Sequence, residues 1–243
     1  MNSTEYSMDR RDIQFVQKEL LHVERLTQLP RFSSFSPADF DLTVEEGATF
    51  IEQVWAPLNK SGDEQGSVLK DGKVITPKGF KEAWKKCSEA GWLGITAEPE
   101  FGGQGLPLSV AVGVLEGFYG GNPALYVSTM LTAGAAGLIT AFGDAEQKAK
   151  FCEKMITGRW GGTMCLSEPN AGSAVGDITA AAVKAKSGGH YLIRGSKCWI
   201  SGGDHDCTDN IVHLVLARVQ GAPPGPKGIS LFIVPKFRLN AKG

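Results

Sequence analysis

The stretch Met164-Cys165-Leu166-Ser167-Glu168-Pro169-Asn170-Ala171-Gly172-Ser173 is answered further on by Lys197-Cys198-Trp199-Ile200-Ser201-Gly202-Gly203-Asp204-His205-Asp206. Each block sets hydroxyls, glycines and accessible backbone beside a bulky apolar or aromatic side chain. That composition suits the edge and face of a flat, polar-rimmed ring. Leu166-Ser167 ends an apolar run and enters a turn, so amides and the Ser167 hydroxyl can point at a ring edge. Gly172-Ser173 lets the chain approach a ligand closely, because glycine carries no side chain. Trp199 offers a stacking face, and strand alternation would put Ser201 on the same side.

Around these blocks the hydrophobic period is 2. Trp160 to Ser167, Thr179 to Lys186, His190 to Gly195, Ile211 to Arg218 and Gly228 to Pro235 read as strands. Ser187-Gly188-Gly189 is a turn signal between two of them. Upstream of Gly158 the period is 3.6. Asp12 to Leu26 carries an apolar stripe of Ile13, Val16, Leu20 and Val23. Thr43-Val44-Glu45-Glu46 has the form of a capping box opening a helix that runs to Ala56, before Pro57. Lys60 to Asp71 is polar and reads as a loop. Thr76-Pro77 starts a helix with Phe80, Trp84 and Cys87 on one face, and Gly91 ends it. Leu108 to Tyr119, Pro123 to Phe142 and Asp144 to Thr157 read as three more helices, the middle one buried. The expected fold is therefore α+β. Residues 1–158 form an all-α helical bundle, and residues 159–243 form an incomplete antiparallel β-barrel or sandwich.

A formal net charge of −1 gives no field for nucleic acid or an anionic membrane, and no basic run is interleaved with aromatics. Pro123 to Phe142 is too rich in small residues for a lipid-facing span. The polar stretch Met1 to Arg11 has no secretory signal pattern. Five cysteines, an odd number without a Cys-x-x-Cys, argue against a disulfide framework or structural zinc. Reduced cysteines in a cytoplasmic protein are the expectation. The loop Glu98 to Gly105 is glycine-rich but lacks the Lys-Ser/Thr of a phosphate loop.

Taken together, in order and spacing, the two blocks resemble the two flavin-contacting segments of the acyl-CoA dehydrogenase family. Gly91-Trp92-Leu93-Gly94 and Glu98-Pro99-Glu100-Phe101-Gly102-Gly103 resemble that family's N-terminal helical domain. Gly202 to Asp206 with Ile211 to Arg218 look most like its longer-chain branch. The resemblance implies FAD as cofactor, with Met164, Leu166, Ser167, Gly172, Ser173, Trp199 and Ser201 as its contacts and Ser173 also facing the acyl-CoA. It implies α,β-desaturation of a fatty acyl-CoA thioester, electrons passing to an electron-transfer flavoprotein, and a homodimer or homotetramer in the full-length protein. It places the catalytic base in a C-terminal helical domain beyond Gly243, so no catalytic residue is expected here and the chain alone is expected to be nearly inactive. Ala174 stands where the family pattern has Asp, which removes a loop-fixing hydrogen bond.

Other readings compete. A degenerate flavoprotein-fold module could bind a partner or nucleotide without catalysis, and an acyl-CoA oxidase shares these motifs. Glu168, between Ser167 and Pro169, reads as fixing its turn. Asp204-His205-Asp206 reads as a surface loop rather than a metal site, and no metal is expected. His22, His190 and His213 show no partner pattern. Cys165 and Cys198 read as small packing residues, and Phe118-Tyr119 and Phe80-Trp84 as bundle core.

Overall fold

The computed structural model describes residues 6–187 and 189–239. Gly188, at the centre of the Ser187-Gly188-Gly189 turn, lies outside them. The first helix, α1 (Arg10–Gln14), runs into a π-helical segment, Phe15–Leu20, and then a 3-10 segment, Val23–Gln28. The expected stripe is broken there. Val23 is buried, but Leu20 is exposed and Gln17 takes the inner position, its amide donating to the Ser109 and Val110 carbonyls. The cause is the wide turn: Leu21 N–H bonds to Val16 O, five residues back, which rotates the face out of the 3.6 phase.

Helix α2 (Pro37–Phe50) starts earlier than Thr43. Its capping box is Ser36 with Asp39, and Pro37 sits in the first turn, where a missing N–H costs nothing. Thr43 lies inside the helix and bonds back to the Asp39 carbonyl. The helical path continues through Ile51–Trp55 and Ala56–Leu58, past Pro57. The stretch expected to be a loop is instead α3 (Asn59–Gln65) and a hairpin of β1 (Val68–Lys70) and β2 (Lys73–Ile75). Asp71 and Gly72 both have positive φ, 50° and 74°, as the tight hairpin turn requires.

Helix α4 (Phe80–Glu89) starts after Thr76-Pro77: Gly79 (φ 95°) is its N-cap, and the Thr76 amide and hydroxyl donate to Asp206 instead. Helices α5 (Leu108–Gly121), α6 (Pro123–Phe142) and α7 (Ala145–Ile156) follow the sequence reading closely. Asn122 caps α6, and Asp144 with Gln147 forms the capping box of α7. The core centres on Trp55, Trp84 and Phe118. Trp55 meets Phe118 edge-on at 5.0 Å, and the Trp84 indole N–H donates to the Gly158 carbonyl at 2.8 Å. Helix α6 is long and apolar enough by composition to cross a membrane. It is not buried all round. One stripe, including Thr132, Ala135, Ala136 and Ile139, packs on α7 and the first strand of the sheet, while Gly134, Gly137 and Phe142 are exposed.

Gly158 (φ 70°) ends the helices, and the sheet begins one residue after Arg159. It comprises β3 (Trp160–Cys165), β4 (Ala181–Lys184), β5 (Tyr191–Arg194), β6 (Asn210–Val219) and β7 (Ile229–Pro235). The order is β3-β6-β4-β5, with β7 also on β6. The expected α+β class holds, but the sheet is mixed rather than wholly antiparallel: β6 runs parallel to both β3 and β4, and antiparallel to β7. Only the short β4–β5 connection forces an antiparallel return. The long excursion between β3 and β6 permits a parallel one.

Candidate functional site

Strand β3 positions the first block. Cys165 is its last residue, paired with Val215 of β6, and the chain then leaves the sheet. Glu168 and Ala171 exchange backbone hydrogen bonds (2.7 and 3.2 Å), which closes Glu168–Ala171 into a tight turn. The Glu168 side chain, 1 % exposed, turns inward. Its carboxylate accepts from the Thr179 amide (2.7 Å), the Thr179 hydroxyl (2.7 Å), the Ala180 amide (3.0 Å) and the Lys197 ammonium (2.8 Å). Lys197 Nζ also donates to the Leu166 carbonyl at 2.9 Å. One residue on, Cys198 N–H donates to the Ser167 carbonyl at 3.0 Å. The two serine-bearing blocks are therefore side by side, joined by main chain and by a buried ion pair. Burial alone raises the Glu168 carboxyl, but the Lys197, Thr179 and Ala180 donors outweigh it and hold it at about 2.

Glu168 thus fixes its turn and does more, since it reaches the second block. Lys197 is the residue joining the two blocks that the sequence reading gave no role. No local pattern marks an ammonium 29 positions away as the partner of that carboxylate.

The other singled-out residues fall as follows. Met164, on β3, and Leu166 and Ser167, just after it, are half-buried. Gly172 and Ser173 are exposed in the turn that follows. A Cβ on Gly172 would meet no atom within 4 Å, so this chain's own packing does not demand glycine there. Trp199 is 91 % exposed with φ 59°, the left-handed region, which is a genuine outlier for a bulky residue. Ser201 is exposed in the next turn, where Gly203 N–H bonds to Ile200 O. Trp199 and Ser201 do not lie on a strand, so the expected alternation does not apply; the left-handed step sets where each points. Ala174 is exposed, and its loop is fixed instead by Asn170, whose amide donates to the Asp177 carbonyl at 3.2 Å.

Asp204-His205-Asp206 departs from the surface-loop reading. His205 is buried with its ring 5.4 Å from that of Trp84, and its Nδ1 accepts from Cys207 N–H. Asp206 accepts from the Thr76 amide and hydroxyl, and Asp204 pairs with Lys236. Burial pushes the His205 imidazole down to about 4, against the flanking carboxylates. His213 also has a partner, the Thr163 hydroxyl at 2.8 Å. Among the described residues no group of three or more His, Cys, Asp or Glu is placed to hold a metal ion.

Two cavities flank α6. One, about 100 Å³, is apolar and lined by Trp92, Phe118, Tyr126, Thr129, Met130 and Ala133 among others. The other, about 380 Å³, is mixed in polarity and includes Asp63, Thr76, Ser128, Asp204 and His205 in its wall. Gly202 of the second block lies over Ser128, so α6 links the exposed turns to both cavities.

Residues 41–159 match the family model for the N-terminal domain of acyl-CoA dehydrogenase, and residues 163–243 match that for its middle domain. The chain is 38 % identical over 232 residues to a 3-methylmercaptopropionyl-CoA dehydrogenase of Ruegeria pomeroyi, covering 96 % of this chain and 39 % of that protein. It is 38 % identical over 246 residues to a butyryl-CoA dehydrogenase of Syntrophomonas wolfei, covering 98 % and 40 %. It thus spans about 40 % of the length of these curated relatives. Both names carry short acyl groups, which corrects the expected likeness to a longer-chain branch. Among solved structures, an acyl-CoA dehydrogenase from Bacillus anthracis complexed with FAD superposes with a TM-score of 0.66 at 25 % identity, over 84 % of this chain and 32 % of that one. The helical region and the curled mixed sheet are those of a chain that belongs to the acyl-CoA dehydrogenase family.

Proposed function

We propose that the two paired turns hold the isoalloxazine of FAD in an enzyme that desaturates a fatty acyl-CoA thioester between Cα and Cβ. Met164, Leu166, Ser167, Gly172, Ser173, Trp199 and Ser201 supply the wall and rim, and Ser173 also meets the acyl-CoA. The single observation that carries this reading is the exposed, left-handed Trp199 one residue beyond the backbone bond that joins the two turns. An aromatic face held out in unfavourable backbone suits a planar ligand and serves no packing purpose of its own. Gly172 supports the same reading, because the open space at its missing Cβ leaves room for a ligand.

When bound, FAD supplies the hydride acceptor. The chain's part is to bind and orient. Ser167, Ser201 and adjacent amides donate along a ring edge, and Trp199 covers one face. Removal of the α-proton needs a carboxylate able to take a proton near neutral pH. Glu168 is unsuited: four donors saturate it, and they hold it at about 2. Glu168 is therefore not assigned as the base. The apolar lining of the smaller cavity, with Trp92, Phe118, Tyr126 and Met130, suits an acyl tail. The names of the curated relatives point the same way. On this reading the helical domain ends near 158, electrons leave to an electron-transfer flavoprotein, the full-length protein is a homodimer or homotetramer, and its compartment is the cytoplasm.

Titration with FAD, followed by flavin fluorescence, tests the binding step. Saturable quenching and a yellow protein are expected. A colourless chain with no quenching at high FAD would sink the reading. In a full-length protein that also carries the base, bleaching by butyryl-CoA separates a dehydrogenase site from a flavin-binding module, and hydrogen peroxide production would mark an oxidase.

A further inference from the structure

The segment around Trp199 has few fixed points. It belongs to no strand, and the hydrogen bonds that locate it are those of Lys197 to Glu168 and Leu166, Cys198 N–H to Ser167, and Gly203 N–H to Ile200. Left-handed backbone at a tryptophan persists only where neighbouring contacts over-determine it. The contacts immediately before Trp199 all lead to the first block. Lys197 shares its ammonium between the Leu166 carbonyl and the Glu168 carboxylate, and Glu168 is itself tied to the chain entering β4 at Thr179 and Ala180. Three segments distant in sequence meet at one carboxylate that is 1 % exposed. Two buried charges rarely stabilise a fold more than apolar packing of the same volume would. What this pair does supply is a fixed distance and direction between the turns.

We propose that Glu168 and Lys197 are a positioning pair: their buried contact sets the spacing of the two turns and holds Trp199 in its exposed left-handed conformation. What Trp199 then faces rests on the flavin reading above; the positioning itself does not. Neither residue presents its charge to a ligand, since both side chains are turned inward, 1 % and 11 % exposed. The pair acts through Trp199 and through the Ser167 and Leu166 backbone.

The test uses the full 243-residue chain labelled with 5-fluorotryptophan, in which the Trp199 line is assigned with Trp199→Phe and the other four tryptophans serve as internal controls. Lys197→Met alone leaves a buried anion unpaired and endangers folding. The double variant Lys197→Met with Glu168→Gln removes the ion pair without leaving a net charge behind, and Lys197→Arg keeps it. In the double variant the Trp199 fluorine line is expected to shift or split while the other four hold, and the FAD dissociation constant to rise tenfold or more. Lys197→Arg is expected to stay near wild type in both readouts. A folded double variant with an unmoved Trp199 line overturns the proposal, whatever FAD does. If the wild-type chain ignores FAD while the Trp199 line moves in the double variant, the positioning stands and the flavin reading falls.

Discussion

Trp84 and Trp199 show how differently the two halves of the molecule use the same side chain. Trp84 is 1 % exposed, donates its N–H to Gly158 and lies tilted against His205 with ring centroids 5.4 Å apart. Trp199 is 91 % exposed on a backbone that bulky residues avoid. In the helical region Trp55 and Phe118 pack edge-on between helices, and Trp84 ties α4 to Gly158 and to His205. In the turns after β3, buried polar groups do the holding and the aromatic face is left for something else. A residue's type therefore says little about its role until its surroundings are known.

The largest effect should come from breaking the helical side of that contrast. Trp84→Ala removes a buried indole and its hydrogen bond and should cost about 3–5 kcal/mol, read by chemical denaturation. A loss under 1 kcal/mol would mean the core collapses around the gap and the contrast is overstated. Next in size is the response to acid. Glu168 has an ordinary value of 4.5 and sits at about 2 in the fold. Its stabilisation is therefore complete above about pH 4.5 and is lost as pH falls toward 2. His205, lowered from 6.5 to about 4, is kept neutral by burial, so its contribution is complete above pH 6.5 and is lost as pH falls toward 4. Each should contribute a slope of roughly 1.4 kcal/mol per pH unit at most within its window. Glu168→Gln should flatten the lower window and leave the upper one, as followed by denaturation between pH 7 and 2.5.

A smaller loss, about 1 kcal/mol, is expected for Ser36→Ala, which removes the side-chain cap of α2. Thr43→Ala should change stability less, since Thr43 caps nothing. Equal losses would restore Thr43 as the true helix start. The smallest effect on folding, within about 0.5 kcal/mol, is expected for Trp199→Ala, an exposed side chain. The same variant should weaken FAD binding by roughly 1 kcal/mol or more through lost stacking. A drop in stability comparable to that of Trp84→Ala would erase the difference between the two tryptophans.

Much of the fold was legible because its signals are local. Asn122 and Asp144 cap helices that run as their apolar spacing requires, Gly91 and Gly158 end helices with positive φ, and the five strands after Gly158 fall where the period changes to 2. The failures have identifiable causes. Thr43-Val44-Glu45-Glu46 imitates a cap that Ser36-Pro37 had already provided one turn and more upstream. A π-helical turn shifts the Ile13–Val23 stripe out of phase, and the loop reading of Lys60 to Asp71 stops inside the Asp71-Gly72 hairpin signal.

By itself, the sequence determined helices α5 to α7, the five strands after Gly158 and the two serine-bearing blocks, because caps, turn residues and hydrophobic period act over a few neighbouring positions. Only the tertiary structure decided that β6 runs parallel to β3, that His205 is buried, and that Lys197 closes onto Glu168. Those outcomes depend on which distant segments share a low-dielectric interior, where a charge must find a partner and an imidazole gives up its proton. No stretch of residues read along the chain carries that information.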